Sequence, residues 1–365
     1  MDSALQLITD RVRAAAADGT ALRIRGSGSK DFYGEPSAGE LLETASLRGI
    51  TSYEPTELVV TVRAGTPLAE LEAVLAERGQ CLPFEPPHFG SGTTVGGMVA
   101  AGLSGPARAS VGAVRDYVLG VSLLNGKGEL LTFGGQVMKN VAGYDVSRLM
   151  VGSLGTLGLI AEVSLKVLPM ALGEATLKFE VSQAQALERL NAWGGQPLPL
   201  NASCWVDDAG VSTLYLRLSG AVAAVEAACK TLGGERQDKA MAASDWTLCR
   251  DQQRPWFLER GERDLWRLSV PQTAPVLDLP ERPLIEWHGA QRWVRAAPEE
   301  AQRLRETAAR AGGHATLFMA GCAQSAVVGG RFDPLRPPLD RIHAKLKKEF
   351  DTAGIFNPGR LYPDF

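Results

Sequence analysis

Apolar residues recur at helical spacing from the start of the chain, with Leu5, Ile8, Val12 and Ala15 on one face and Gly19 beyond them. This pattern predicts an opening helix followed by a short strand, "ALRIR". After a polar interval, "ELVVTVRAG" reads as a β-branched strand. Thr66-Pro67 then reads as N-cap and first residue of a helix over "LAELEAVLAERG", closed by Gly79. The small residues of "GGMVAAG" predict a short helix packed closely on its neighbour. "YVLGVSLLNGKGELLTF" predicts two strands joined at Asn125-Gly126. The stretch onward to Pro169 reads as a short helix, a glycine turn and a buried strand. Beyond residue 171 the pattern alternates. Strands are expected at "TLKFEV", "ASCWVDD", "STLYLRL", "LWRLSV", "PLIEWHG", "QRWVRAA" and "HATLFMAG". Helices are expected at "SQAQALERLNAW", "AVAAVEAACKTLG" and "PEEAQRLRETAARAGG". This half is an α+β domain with a mostly antiparallel sheet. A boundary is expected at Asp333–Pro338, and an amphipathic helix and a Pro/Gly-rich end close the chain.

Length supports that division, since 365 residues exceed what one small core organises. Net charge is −3 with no basic run, so the electrostatic footprint of nucleic-acid or anionic-membrane binding is missing. Glycine is concentrated before residue 160, with seven between Gly90 and Gly112, which suggests tight loops around a ligand. The five cysteines (Cys81, Cys204, Cys229, Cys249 and Cys322) are scattered without a Cys-x-x-Cys pair. Neither a disulfide framework nor an iron–sulfur cluster held by this chain is expected, and the four histidines show no metal-ligand spacing. Cys81 reads as a buried apolar residue. The first residues do not read as a signal peptide, and the longest apolar run is too short and glycine-rich to span a bilayer. A cytoplasmic setting is the expectation.

The candidate chemistry begins at "RIRGSGSK", Arg23–Lys30. Such a loop exposes backbone N–H groups of the kind that hold phosphate. It nevertheless fits neither the P-loop nor the G-x-G-x-x-G pattern, because Asp31 stands where the latter needs glycine. Taken alone, it reads as a surface turn.

Four further segments follow in order: "GSGTTVGGMVAAGLSGPAR", "GAVRDYVLGVSLLNGKGELLTFGG", "KNVAGYDVSRLMVGSLGTLGLIAEVSLKVLP" and the terminal "GIFNPGR". With the first loop, this set resembles the vanillyl-alcohol-oxidase-like, PCMH-type FAD-binding family. Within it the set is most similar to the FAD-binding subunits of bacterial glycolate oxidases. The resemblance covers nearly the whole chain. It implies an α+β fold: a PCMH-type FAD-binding domain of two α/β subdomains (about 1–80 and 81–170), a second α+β cap domain on an antiparallel sheet (171–330), and a C-terminal segment (331–365) returning to the FAD domain.

The cofactor it implies is FAD. Gly26, Ser27, Gly28 and Ser29 would offer N–H groups and hydroxyls to the pyrophosphate, with Arg25 or Lys30 adding charge and Gly28 leaving room for the phosphate. Gly92, Thr93, Thr94, Gly96 and Gly97 would close from the other side, the helix near Gly96 pointing its positive end at the anion. Pro86, Gly152, Gly155, Thr156, Leu159 and Asn357 complete the expected contacts. Some members attach FAD through a His in the first loop or a Cys in the second. Both are missing here, so non-covalent FAD is expected. Arg115-Asp116 reads as an ion pair bracing the sheet, and Lys139-Asn140 with Tyr144-Asp145 as loop supports.

The implied partners are a second FAD-containing subunit, an iron–sulfur subunit and a small hydroxy-acid substrate. The complex would bring the chain to the inner face of the membrane. Related catalytic subunits carry H-G-x-G-N-x-H in the second domain, a motif this chain lacks. Its substrate-domain candidates are His288, His314, Arg267, Arg292 and Arg295, each with a structural alternative, and no catalytic residue is assigned. Two functions remain open: a dehydrogenase that oxidises glycolate itself, and a FAD-holding relay or scaffold whose partner performs the oxidation.

Overall fold

A computed structural model of the chain describes residues 3–135, 145–321 and 329–365. Two compact units result, one of Met1–Leu103, Ala113–Pro169 and Pro334–Phe365, the other of Ser104–Gly112 and Met170–Asp333. The segment Ser104–Gly112, read from sequence as part of the first domain, thus belongs with the second unit.

In the first unit, helix α1 (Ser3–Asp18) buries Ile8, Val12 and Ala15, and Gly19 follows it at φ +68°. Strand β1 (Leu22–Arg25) pairs in parallel with β2 (Glu40–Glu43). Five further strands form one antiparallel sheet: β3 (Ile50–Glu54), β4 (Val59–Arg63), β5 (Val118–Leu124), β6 (Leu130–Gly134) and β7 (Leu159–Lys166), in the order β3-β4-β7-β5-β6. The chain passes from the first sheet to the second between Glu43 and Ile50.

Helices α2 (Leu68–Ala76) and α3 (Val95–Ala101) cover one face of this sheet, packing Leu71, Leu75, Met98 and Val99 against Val60 and Val62. On another side Ile8 and Val12 of α1 join Leu22, Leu42, Leu159 and the tail's Phe356. Each such fully buried side chain stabilises the unit by roughly 1.5–3 kcal/mol. Pro67, not Thr66, holds the N-cap position of α2, because the Thr66 hydroxyl instead accepts from Gly49 N (2.9 Å). The hairpin at Asn125-Gly126 is present with a longer loop. Asn125 Oδ1 accepts from both Lys127 N and Glu129 N, and the strands resume pairing at Leu124↔Leu130.

The second unit is built on β8 (Gly173–Glu180), α4 (Gln183–Gly194), β9 (Leu200–Asp208), β10 (Val211–Gly220), α5 (Val222–Leu232), α6 (Lys239–Arg250), β11 (Asp264–Ser269), β12 (Leu284–Glu286), β13 (Gln291–Ala296), α7 (Ala301–Arg310) and β14 (His314–Met319). A two-residue strand, Glu235–Arg236, begins an eight-stranded sheet continued as β8-β10-β9-β12-β13-β11-β14, antiparallel throughout. Helices α4 and α5 pack Leu187, Leu190 and Val225 onto Leu177, Leu214 and Leu216, while α7 packs Leu304 and Ala308 onto Trp266 and Val294. The predicted strands and helices of this half are all present. Helix α6 was not foreseen. Asp238 caps it by accepting from Ala240 N and Met241 N, and it buries Ala242, Trp246 and Cys249.

Candidate functional site

Strand β1 runs directly into the loop that starts at Gly26, and α3 begins opposite. Between them lies a cavity of about 300 Å³, and beside it a narrower one of about 70 Å³ that shares Gly26, Gly97, Leu154 and Asn357 with it. The run Arg25, Gly26, Ser27, Gly28, Ser29 and Lys30 lines the larger cavity, as do Thr94, Gly97 and Asn357. Gly96 and Gly155 line the narrower one.

The other expected residues line neither. Gly92 lies against Ser27, since a Cβ built on it would sit 3.2 Å from that side chain. Thr93 Oγ1 is 2.8 Å from Ser29 Oγ and also contacts the His88 carbonyl. These two residues brace the loop from behind. Gly152 N donates to Val99 O (3.1 Å), holding the turn that follows it to α3. The Thr156 hydroxyl donates to Ser153 O, Leu159 is core beside α1, and Pro86 is buried.

Two positions of the loop favour glycine, one by close approach and one by its backbone. A Cβ on Gly26 would lie 2.4 Å from Thr94 Oγ1, so only glycine lets the loop touch the start of α3. Gly28 has φ +80°, and a Cβ there would lie 2.2 Å from Arg25 Nη2. The space over Gly28 is therefore filled by the Arg25 guanidinium, which pairs with Asp31 at 2.9 Å. This corrects the expectation that Gly28 leaves room for the phosphate itself.

The helix-terminus expectation is corrected as well. At α3, Val95 N donates to Thr66 O, Gly96 N to Ala64 O (2.7 Å) and Gly97 N to Thr94 Oγ1 (3.2 Å), so these donors are already engaged. The N–H groups of Ser27 and Gly28, by contrast, make no hydrogen bond among the described residues. Around them the wall carries Arg23, Arg25, Lys30 and Arg360 against one carboxylate, Asp31. Open N–H donors within a cationic wall form a concavity suited to an anion.

Asn357 reaches the site from the tail at φ +41°. Its Oδ1 accepts from Ile24 N (2.7 Å) and its Nδ2 donates to Leu154 O (2.6 Å), so it ties β1 to the turn behind α3. The tail itself is held by Lys347, whose Nζ donates to Asp351 Oδ2, Thr156 O and Phe356 O at 2.7–2.8 Å. Burial pushes the Lys347 pKa down, and its pairing with Asp351 opposes that. Sequence reasoning did not single out Arg360 on the cavity wall. For Arg360 a signal existed, as the cation closing "GIFNPGR".

The substrate-domain candidates all sit in the second unit. His288 Nε2 is 2.9 Å from Ser110 Oγ, and its backbone N donates to Ser203 Oγ (2.9 Å). Burial pushes its pKa down to about 4, so the ring is neutral at pH 7, with Nδ1 lacking a partner among the described residues. Arg292 is fully buried and donates from Nη2 to Ala274 O (3.1 Å); burial lowers its pKa to about 10. Arg295 pairs with Glu281, and the Arg267 guanidinium lies 5.6 Å from the Phe318 ring centroid. His314 is held below its usual pKa by burial and then by Arg267.

Arg115 and Asp116 form no ion pair. Both are exposed, and Asp116 Oδ2 accepts from Ala113 N (2.8 Å) at the start of a short helix. Asp145 caps the helix Val146–Leu149 by accepting from Arg148 N, whereas Lys139, Asn140, Tyr144 and Cys322 lie outside the described residues. Cys81 is half-buried, and burial pushes its thiol pKa up to about 11. Among the described residues no cluster of His, Cys, Asp and Glu could hold a metal, and no helix is long and apolar enough to cross a membrane.

Residues 5–134 match a family model described as an FAD binding domain. Glycolate oxidase subunit GlcE of Escherichia coli (strain K12) is 47% identical over 359 residues, which cover 98% of this chain and 97% of that protein. Glycolate oxidase subunit GlcD of Bacillus subtilis (strain 168) is 32% identical over 155 residues, 42% of this chain and 33% of that protein. In fold, the chain resembles a solved structure of alkyldihydroxyacetonephosphate synthase, with a TM-score of 0.64 and 15% identity over 97% of this chain and 74% of that one. With near-half identity along the full length of both chains, the protein belongs to the family of glycolate oxidase subunit GlcE and is an FAD-binding, PCMH-type oxidoreductase subunit.

Proposed function

We propose that the chain is the FAD-holding subunit of a heteromeric glycolate oxidase that converts glycolate to glyoxylate and sends the electrons through flavin to an iron–sulfur partner. The observation that carries this reading is the cavity after β1, lined by Ser27 and Gly28, whose N–H groups make no hydrogen bond among the described residues, together with four cations and one carboxylate. A pyrophosphate fits that wall. Ser27 and Gly28 would hold it from the backbone, Arg23, Arg25, Lys30 and Arg360 would offset its charge, and Thr94 would contact it from α3. Among the described residues neither cavity is lined by His or Cys, and the hold in this reading is non-covalent. When bound, FAD supplies a two-electron acceptor for the hydrogen leaving the hydroxy acid.

A second reading keeps this flavin as a relay and gives the oxidation to a partner flavoprotein. The pairing of Arg295 with Glu281 and the holding of His288 between Ser110 and Ser203 favour it, because a base must be within reach of the hydroxyl proton and a cation open to the carboxylate. In either reading the chain meets a membrane only through its partners. The test is an anaerobic titration of the FAD-loaded chain with glycolate. Bleaching of the flavin absorbance by the chain alone supports direct oxidation. Bleaching only with the partner flavoprotein present supports the relay, and failure to take up FAD at all overturns both.

A further inference from the structure

We infer that Arg360 is the positioning residue of the phosphate-holding loop: from the tail, its guanidinium pins four carbonyls of Lys30–Glu35, the segment that closes the loop, and so sets FAD affinity. The inference rests on the FAD reading above and goes beyond it to a residue outside the loop.

Arg360 Nη1 donates to Glu35 O (2.7 Å), and Nη2 donates to Tyr33 O (2.6 Å), Asp31 O (3.1 Å) and Lys30 O (3.3 Å). In the reverse direction Glu35 N donates to Arg360 O (2.9 Å). Other contacts hold the same segment: Arg25 pairs with Asp31 (2.9 Å), and the Phe32 and Phe89 rings meet edge to face at 5.1 Å. Asp31 N reaches Gly28 O and Tyr33 N reaches Lys30 O, both at 3.0 Å, and the Ser29 N to Ser27 Oγ contact is long at 3.4 Å and exposed. A planar peptide whose carbonyl is held has its next N–H fixed on the opposite side, so the pinned carbonyls orient the N–H groups of Asp31, Phe32 and Gly34 and hold the segment through which the chain leaves the loop (Pro36, after Glu35, has no N–H). The planar guanidinium presents several donors in one rigid plane; an ammonium on a flexible stem cannot serve the same four acceptors.

The clamp stands on a fixed post. Leu22 N donates to Ile355 O (2.7 Å), Asn357 N to Leu22 O (2.9 Å) and Arg360 N to Asn357 O (3.1 Å), so the tail runs beside β1 up to the arginine. Gly34 completes the fit at φ +86°, since a Cβ there would lie 3.0 Å from Arg360 O and 2.7 Å from Leu154 Cδ1. Arg360 also lines the cavity, so its charge and its geometry both reach the ligand, and the experiment must separate them.

The full-length chain is stripped of flavin and titrated with FAD, following flavin fluorescence at two salt concentrations. Amide exchange is read on the apo chain. The expected result is that Arg360→Met and Arg360→Lys both weaken FAD binding, each roughly 10- to 100-fold, the scale of losing hydrogen bonds from a charged donor. Apo-state exchange should rise at residues 27–35 in both variants while β4 and β7 stay protected, which a general loss of folding would not produce. Wild-type affinity in Arg360→Lys would overturn the inference, because charge alone would then suffice. Wild-type affinity in Arg360→Met, or unchanged exchange at 27–35, would overturn it too. If the wild-type chain takes up no FAD while exchange at 27–35 still rises, the FAD reading fails and the pinning of the loop stands without its role in affinity.

Discussion

Two glycine-containing turns, each flanked by arginine, have opposite fates in this molecule. In the loop after β1, the N–H groups of Ser27 and Gly28 open onto a cavity of about 300 Å³ lined by four cations. In the turn after β12, Trp287, His288 and Gly289 stand in succession at φ +53°, +54° and +100°, and all three are buried. Trp287 Nε1 donates to Gly105 O (3.0 Å), the Arg108 guanidinium lies 4.4 Å from the Trp287 ring, and Ser203 and Ser110 hold both ends of His288. Two non-glycine residues at positive φ cost about 1–3 kcal/mol each, so this packing must over-determine them. Residue type alone does not separate a ligand-facing cation from a buried one. What separates them is whether their polar atoms meet open space or protein.

The sharpest break of this contrast is Gly28→Val. A β-branched residue at φ +80° is a backbone outlier, and its Cβ would strike the Arg25 guanidinium. We expect FAD affinity to fall at least ~100-fold, since strain and displacement of Arg25 act together. All seven tryptophans lie in the second unit, so tryptophan fluorescence reports that unit separately and should be unchanged. Normal FAD binding by this variant would reduce the loop to a surface turn.

A smaller effect tests the closed turn. His288 has a folded pKa of about 4 against a usual 6.5, so its neutral form is favoured by folding. That contribution is fully present above pH 6.5 and is lost as the pH falls toward 4, because the unfolded chain binds the extra proton there. Between pH 7 and pH 5 the loss is about 2 kcal/mol. Urea unfolding should show it in the wild type and show less of it in His288→Gln. An equal pH dependence in both would mean that the ring is solvated, and the contrast with the open loop would weaken.

Much of this was legible from residues adjacent in the chain. Helix α1, the hairpin at Asn125 and the strands of the second unit follow from periodicity and turn chemistry, which are local. Strands β2 and β3 were not, because "ELLE" and "ITSYE" each bury little and carry no clean alternation. Helix α6 did carry a signal, in Ala242, Trp246 and Cys249 at spacings of four and three. The loop Arg25–Lys30 was legible as a candidate because its residues are consecutive. Its supports were not, since they are supplied from a distance: Ala64 and Thr66 engage the N–H groups of α3, and Arg360 comes from over three hundred residues away. Gly152, Thr156 and Leu159 sit near the site in sequence yet serve α3, the tail and the core.

The smallest expected effect carries the most information about the second unit. Arg292 is fully buried, makes one hydrogen bond to Ala274 O, and leaves Nε and Nη1 without partners among the described residues. A buried cation without a counter-charge opposes folding, and replacing buried charge with an apolar side chain of similar volume is often neutral or stabilising. Arg292→Met should therefore raise stability by about 1 kcal/mol in urea unfolding, with FAD affinity unchanged. A loss of about 3 kcal/mol instead would show that the guanidinium is held by further bonds, such as ordered water, and is a structural member of the closed turn. The expected gain would mean the opposite: a cation that folding does not need, retained within a few residues of His288. The contrast between an open and a closed turn would then narrow to one of access, and Arg292 would become the first residue of the second unit to test against glycolate.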